Sequence, residues 1–310
     1  MAVSIGIGIA YGGSFAWGTI SPSFSKVNIP SISAAAASMM SQPTDGTSIS
    51  GLVRRVRYTA LEEEDIIDAA ALSLPSANPD KITASSYIVR NISRNFTEVE
   101  RDADRMLPIA SVTKLVTAIV ARTEMDQNDR ITLNQSIMAT YGNTAQFRVG
   151  ETFSVKDLMY PLLMVSSNDA AEALAQYHGR RQFIQAMNDF AQSVGAYRTY
   201  FDDPSGLSSR NISTAKDVTL ILNWIRVNDP EIIKITSEKA RVVRGHTWVN
   251  PTHFLNWSYY LGGKNGYTPE ADRTAASLFT AGENGEIYAV VVLGSSSRDS
   301  DMMKLLEKVK

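Results

Sequence analysis

Ser111-Val112-Thr113-Lys114-Leu115-Val116-Thr117-Ala118-Ile119-Val120-Ala121-Arg122-Thr123 is the stretch on which the reading of this chain turns. Val112, Leu115, Val116, Ile119 and Val120 fall at i, i+3, i+4, i+7 and i+8, the spacing of one helical face. The other face carries Thr117 and Ala118, so the predicted helix is buried on nearly every side. Upstream, residues 85–89 and 96–99 read as a strand pair around a polar turn. Far downstream, residues 275–280 and 287–293 read as two further strands joined through Glu283-Asn284-Gly285. Strands at both ends of a domain with helices between them predict an α/β sandwich whose sheet joins the two ends.

The helices between carry their own punctuation. Ser154-Val155-Lys156-Asp157 is a capping box ahead of Leu158, Met159, Leu162 and Leu163. An Ala-rich helix from Asp169 to Tyr177 stops at Gly179. Phe183, Met187, Phe190 and Val194 form another stripe, closed by Gly195. Residues 214–217 open a helix that runs through Trp224, and a last helix spans about 300–309.

The first quarter reads differently. Residues 1–25 carry no charged side chain, and about 20 uncharged residues are long enough to cross a bilayer, so this segment is expected to be a signal sequence or membrane anchor. The positive n-region usual in such segments is missing. Residues 26–80 hold no sustained period and read as a flexible linker; their basic and acidic runs read as solvated charge. The compact domain is expected over residues 81–310.

Composition narrows the chemistry. The chain has 310 residues and 44% hydrophobic side chains, enough for a sizeable core. A net charge of -2 gives no electrostatic case for nucleic acid. The absence of cysteine excludes disulfides, thiol nucleophiles and thiolate metal sites. There is no HExxH pair and no GxSxG elbow.

A different nucleophile is offered by Ser-x-x-Lys, which occurs at Ser23–Lys26, Ser111–Lys114 and Ser213–Lys216. The first lies in the linker, where nothing would hold its geometry. The third reads as a helix cap followed by a solvated lysine. Ser111–Lys114 opens the most apolar helix, where residues at i and i+3 share a face. A lysine base near neutral pH needs its pKa lowered from about 10.4 towards 7, roughly 4–5 kcal/mol. Burial and a second cation supply such a shift. Two further patterns are ambiguous in isolation. Ser166-Ser167-Asn168 is a helix-capping sequence, with Asn168 a good N-cap. Lys264-Asn265-Gly266-Tyr267-Thr268, after Gly262-Gly263, reads either as an ordinary turn or as backbone before a strand that a substrate approaches closely.

Order and wording change that balance. Ser-x-x-Lys, then Ser-x-Asn, then Lys-x-Gly resembles the serine penicillin-recognising enzymes. Residues 109–118 resemble the nucleophile segment of the D-alanyl-D-alanine carboxypeptidases, the low-molecular-mass penicillin-binding proteins. Residues 164–171, Asp203-Pro204-Ser205-Gly206-Leu207 and residues 263–268 resemble three more of their hallmarks. The resemblance spans roughly residues 81–310 and implies a β-lactamase/transpeptidase-like α/β fold, an antiparallel sheet flanked by helices with a mostly helical subdomain. It implies Ser111 as nucleophile, Lys114 as its base, Ser166 as proton relay to the leaving amine and Asn168 as a holder of the substrate amide. Lys264, Asn265, Gly266, Tyr267 and Thr268 would bind the substrate's carboxylate end, with the backbone N–H groups of Ser111 and Tyr267 as oxyanion hole. The implied partners are the D-Ala-D-Ala end of a peptidoglycan stem peptide and β-lactams as covalent inhibitors, in the cell envelope outside the cytoplasm. No metal or organic cofactor is implied.

Two departures stand out. The family usually has Thr where Asn265 stands, and an Ala-Gly pair where Glu270-Ala271-Asp272-Arg273 follows Thr268. Three rival readings remain on the same fold: a serine β-lactamase, a D,D-endopeptidase and a non-catalytic peptidoglycan-binding protein. The segment at Tyr200–Leu207 lacks the Glu-x-x-x-Asn pattern of class A β-lactamases.

Overall fold

The computed structural model describes residues 81–282 and 284–309. The signal or anchor expected over residues 1–25, the linker over 26–80 and the Ser23–Lys26 pair lie outside the described residues. Among the described residues no helix is long and apolar enough to cross a membrane.

A five-stranded antiparallel sheet organises the domain. Its N-terminal strands are β1 (Ser86–Asn91) and β2 (Phe96–Arg101). Short strands β3 (Leu107–Pro108), β4 (Arg130–Thr132), β5 (Thr152–Ser154) and β6 (Ile212–Ser213) lie outside it, as does the hairpin β7 (Ala240–Val243) and β8 (His246–Val249). Its C-terminal strands are β9 (Tyr260–Thr268), β10 (Asp272–Ala281) and β11 (Glu286–Ser295), in the order β2-β1-β11-β10-β9. Tyr87 pairs with Val292 and Val89 with Val290, so the sheet joins the two ends of the domain as the strand pattern requires. β10 and β11 carry unbroken buried runs because both faces of the central strands are covered.

The helices are α1 (Lys114–Glu124), α2 (Val155–Met164), α3 (Asn168–His178), α4 (Arg180–Ser193), α5 (Ala215–Asn228), α6 (Pro230–Thr236) and α7 (Arg298–Leu306). One apolar cluster fills the space between the helical region and one sheet face, with Leu115, Ile119, Leu158, Leu174, Phe183 and Val291 among its buried members. A second, around Phe254, Phe279, Val290 and Leu305, lies beneath α7. Every residue from Lys114 to Ala121 is buried, as the two-faced apolarity of that stretch demands. The capping box of α2 is intact, with Ser154 Oγ accepting from Asp157 N at 3.1 Å.

Several expectations are corrected. Ser111 does not begin an α-helix: Ala110–Thr113 form a 3₁₀ turn, and α-helical hydrogen bonding starts at Lys114. The N-cap of α3 is Ser167, whose Oγ accepts from Ala170 N at 3.1 Å, and Asn168 is the first helical residue. Lys264 stands in the middle of β9 rather than before a strand, because β9 begins at Tyr260. The helix opened by Thr214 continues to Asn228, four residues beyond Trp224. β9, α6 and the β7–β8 hairpin are elements that the apolar periodicity did not reveal.

Candidate active site

Ser111, Lys114, Asn168 and Lys264 come from four separate elements, and the fold brings their surroundings together. Three constraints hold Ser111. Ala110 adopts φ +46° in the 3₁₀ turn, a sterically costly conformation for a residue with a Cβ. Gly206 lies so close that a Cβ there would sit 2.0 Å from Ala110 O. On the other side, a Cβ on Gly266 would sit 2.7 Å from Ser111 N and 2.7 Å from Thr274 Oγ1. Glycine is therefore required at both positions by close backbone approach. Thr274 Oγ1 also donates to Ile109 O at 3.1 Å, tying β10 to the same turn.

Lys114 is wholly buried. Its Nζ lies 3.1 Å from Ser111 Oγ, 2.7 Å from Asn168 Oδ1 and 2.6 Å from Ser205 O. Burial, and then the charge of Lys264, hold its pKa well below the ordinary lysine value, while Asp203 acts in the opposite direction. A neutral amine has two hydrogens and one lone pair. Asn168 Oδ1 and Ser205 O can only accept, so they take the two hydrogens, and the lone pair is left facing the Ser111 hydroxyl. This is the arrangement a general base needs.

The loop Asp203–Leu207 builds the acceptor at Ser205 O. Asp203 accepts from Ser205 N (2.6 Å), Ser205 Oγ (2.6 Å) and Gly206 N (2.8 Å) through Oδ1, and from Ser208 N (2.6 Å) and Asn211 Nδ2 (3.2 Å) through Oδ2. Pro204 O accepts from Thr117 Oγ1 at 2.5 Å, fastening the loop to α1. The part played by Ser205 and Asp203 was not read from the sequence. An Asp two and three residues before Ser-Gly is the signature of a turn closed by its own carboxylate, and that signal was available.

Ser166 sits between α2 and α3 at φ +58°, and its buried Oγ has no hydrogen-bond partner among the described residues. A strained residue with an unspent hydroxyl at the junction of two helices is a mark of function. Because Ser167 does the capping, the Asn168 side chain is released to the site. Its Oδ1 meets Lys114 and its Nδ2 donates to Tyr141 O at 2.8 Å, leaving one amide hydrogen uncommitted to these partners. Asp169, next in α3, is buried with neither carboxylate oxygen hydrogen-bonded among the described residues, and burial pushes its pKa up to about 6.

On β9, Lys264 is buried and its Nζ donates to Asn265 O at 2.9 Å. Asn265 Nδ2 donates to Thr252 Oγ1 at 3.2 Å. Tyr267 is partly exposed, with the Arg273 guanidinium 5.7 Å from its ring centroid. Thr268 lies farther along, where its Oγ1 accepts from Ala271 N at 3.2 Å and helps close the turn into β10. The other described Ser-x-x-Lys pair does not converge on a site. Ser213 is buried with its hydroxyl 2.7 Å from Thr199 Oγ1, Thr214 rather than Ser213 caps α5, and Lys216 Nζ lies 3.6 Å from Asp104. Among the described residues no group of acidic or histidine side chains is arranged to hold a metal ion.

An antiparallel sheet backed by helices, with a serine at a 3₁₀ turn beside a buried lysine and a cationic edge strand, defines a serine acyl-transfer enzyme of the penicillin-recognising fold. The family model described as D-alanyl-D-alanine carboxypeptidase matches residues 74–297, and the chain belongs to that family of serine hydrolases. It is 31% identical over 220 residues to a D-alanyl-D-alanine endopeptidase of Escherichia coli, covering 66% of this chain and 69% of that protein. It is 27% identical over 286 residues to a D-alanyl-D-alanine carboxypeptidase of a Streptomyces species, covering 82% of this chain and 97% of that one. The chain spans between 61% and 69% of the length of three curated endopeptidases among its relatives. Among solved structures, a D-alanyl-D-alanine carboxypeptidase from Mycobacterium tuberculosis superposes with a TM-score of 0.68 at 26% identity, covering 76% of this chain and 93% of that one. The Streptomyces K15 DD-transpeptidase gives a TM-score of 0.68 at 27% identity, covering 74% and 97%.

Proposed function

We propose that this chain removes the terminal D-alanine from peptidoglycan stem peptides through an acyl-enzyme at Ser111. The observation that carries the reading is the set of contacts at Lys114, whose two acceptor-only partners direct its lone pair at Ser111 Oγ. Ser111 Oγ attacks the carbonyl between the two D-alanines while its proton passes to Lys114 Nζ. The backbone N–H groups of Ser111 and Tyr267 receive the developing oxyanion, a contribution of about 3–4 kcal/mol in such sites. The C–N bond then breaks, and the departing amine takes a proton relayed through Ser166. Water hydrolyses the resulting ester and restores Ser111. Lys264 provides the positive charge for the substrate carboxylate, with Asn265, Gly266 and Thr268 completing that wall. β-Lactams acylate the same serine and leave slowly.

The catalytic domain is assigned to residues 81–310, with residues 26–80 as a tether and residues 1–25 as a signal sequence or membrane anchor. The protein acts in the cell envelope, outside the cytoplasm, where its polymeric substrate lies. A second reading, cleavage of D-alanyl cross-links between stem peptides, is favoured by the names of the endopeptidase relatives. Incubation with a D-Ala-D-Ala stem peptide and with cross-linked peptide dimers separates the two. Free D-alanine from the first supports the carboxypeptidase, conversion of dimers to monomers without free D-alanine supports the endopeptidase, and turnover of neither contradicts both.

A further inference from the structure

β9 is an edge strand, with β10 on one side only. The Gly263 N–H points to the other side, where Thr236 Oγ1 accepts it at 2.9 Å. N–H groups two residues apart in a strand face the same edge, so those of Asn265 and Tyr267 lie along this edge as well. Thr236 is the last residue of α6 and is buried. Its hydroxyl donates to Ile233 O at 2.7 Å while it accepts from Gly263 N, so it ties the end of the helix to the strand. The fit is tight. A Cβ on Gly262 would sit 2.5 Å from Thr236 Oγ1 and 2.5 Å from Ile233 O, which requires glycine there.

A second tie holds β9 on the far side of Lys264. Thr236 O accepts from Asn250 Nδ2 at 2.9 Å, and Asn250 Oδ1 accepts from Thr252 N at 3.2 Å. Thr252 Oγ1 accepts from Asn265 Nδ2 at 3.2 Å. The loop between β8 and β9 therefore bridges from α6 to Asn265, and Lys264 lies between two anchored residues. What depends on its place is the charge beside Lys114. The Lys114 amine meets the neutral groups Ser111 Oγ, Asn168 Oδ1 and Ser205 O. The charged groups acting on it are Lys264 of β9, which favours the neutral amine, and Asp203 of the loop before Gly206, which opposes this. Repulsion between two ammonium groups weakens with distance, so a β9 displaced from Lys114 would leave that amine easier to protonate.

Resting on the reading of Lys114 as the base for Ser111, we propose that Thr236 is a positioning residue. Through Gly263 it fixes Lys264 relative to Lys114, and Thr252 is the second anchor through Asn265. The test uses Thr236→Val, which keeps the shape and removes the hydroxyl, and Thr236→Ser, which keeps the hydroxyl. The readout is the second-order rate of labelling by a fluorescent penicillin across pH. Thr236→Val should label about three- to tenfold more slowly at neutral pH. Its acid limb should lie roughly 0.3–1 pH unit higher, the direction expected of Lys264→Met. Thr236→Ser should match the unaltered protein. In a Lys264→Met background, Thr236→Val should displace the limb no further. Thr252→Val, at a half-buried position, should displace it in the same direction, and carries the test should Thr236→Val not fold. An acid limb that stays in place in the folded variant, or that moves equally with and without Lys264, would show a merely structural role and overturn the proposal, as would a Thr236→Ser limb displaced like that of Thr236→Val. Failure of the unaltered protein to label at any pH overturns the reading of Ser111 and Lys114, and the proposal with it.

Discussion

Gly266→Ala tests how tightly β9 must lie against Ser111, the proposed nucleophile. The added Cβ would sit 2.7 Å from Ser111 N, 2.7 Å from Thr274 Oγ1 and 3.0 Å from Ala110 Cβ. Ordinary contact begins near 3.4 Å, so the strand and the 3₁₀ turn must separate by about 0.7 Å. Relief by moving Thr274 breaks its hydrogen bond to Ile109 O and loosens the same turn. Relief by moving β9 displaces the Tyr267 N–H from the oxyanion position proposed for it. Misplacement of about 1 Å costs on the order of 100-fold in rate, so the variant should acylate about 10- to 100-fold more slowly. Overpacking adds a stability loss of about 1–3 kcal/mol, so melting must be measured alongside to show that the assayed protein is folded. The assay is the second-order rate of labelling by a fluorescent penicillin, with kcat/KM for D-alanine release measured in parallel. A folded variant that acylates within twofold of the unaltered protein would refute the argument that close approach of β9 sets the geometry at Ser111.

Lys264→Met removes the nearby cation that helps keep Lys114 deprotonated, so the Lys114 pKa rises and the acid limb of the pH–rate profile for acylation moves to higher pH; an acid limb that stays in place contradicts this. Asp169 titrates at about 6 in the fold, above its ordinary 3.8, so the protonated form favours folding. That contribution is complete below about pH 4 and is lost as pH rises through 6, an effect of up to about 3 kcal/mol. Asp169→Asn should therefore gain stability over the unaltered protein between pH 4 and 8 in urea titrations, and parallel curves for the two proteins would count against it. Asp203→Ala strips the carboxylate from five donors, three of them backbone N–H groups, and should cost about 3–5 kcal/mol in melting experiments. Because Ser205 O then loses its position beside Lys114, the acylation rate should fall as well.

The legible parts of the fold were those written in periodicity and caps. The buried helix, the capping box at Ser154 and the strands at both ends of the domain each leave a pattern in neighbouring residues. β9 left none, because Gly262, Gly263 and Gly266 interrupt any alternation. Those glycines are there for tertiary reasons: Gly263 against Ser277 and Ala276 O, Gly266 against Ser111 N. Strand propensity cannot report a close approach between residues 155 positions apart. The assignment of Asn168 as a cap failed for a related reason. Ser167 and Asn168 are both good caps, and the choice between them depends on Asn168 being drawn to Lys114 and Tyr141. The proposed nucleophile, Ser111, and the buried Lys114 beside it were legible as a local i, i+3 pair. The backbone acceptor at Ser205 was not, because a carbonyl has no sequence identity.

The central claim is that Ser111, activated by Lys114, forms the covalent intermediate. Intact-mass spectrometry after incubation with benzylpenicillin, followed by peptide mapping, tests it most directly. The account predicts a single stable adduct on the peptide containing Ser111, absent in Ser111→Ala and strongly slowed in Lys114→Met. An adduct on any other residue, or persistence of the same adduct in folded Ser111→Ala protein, would contradict it.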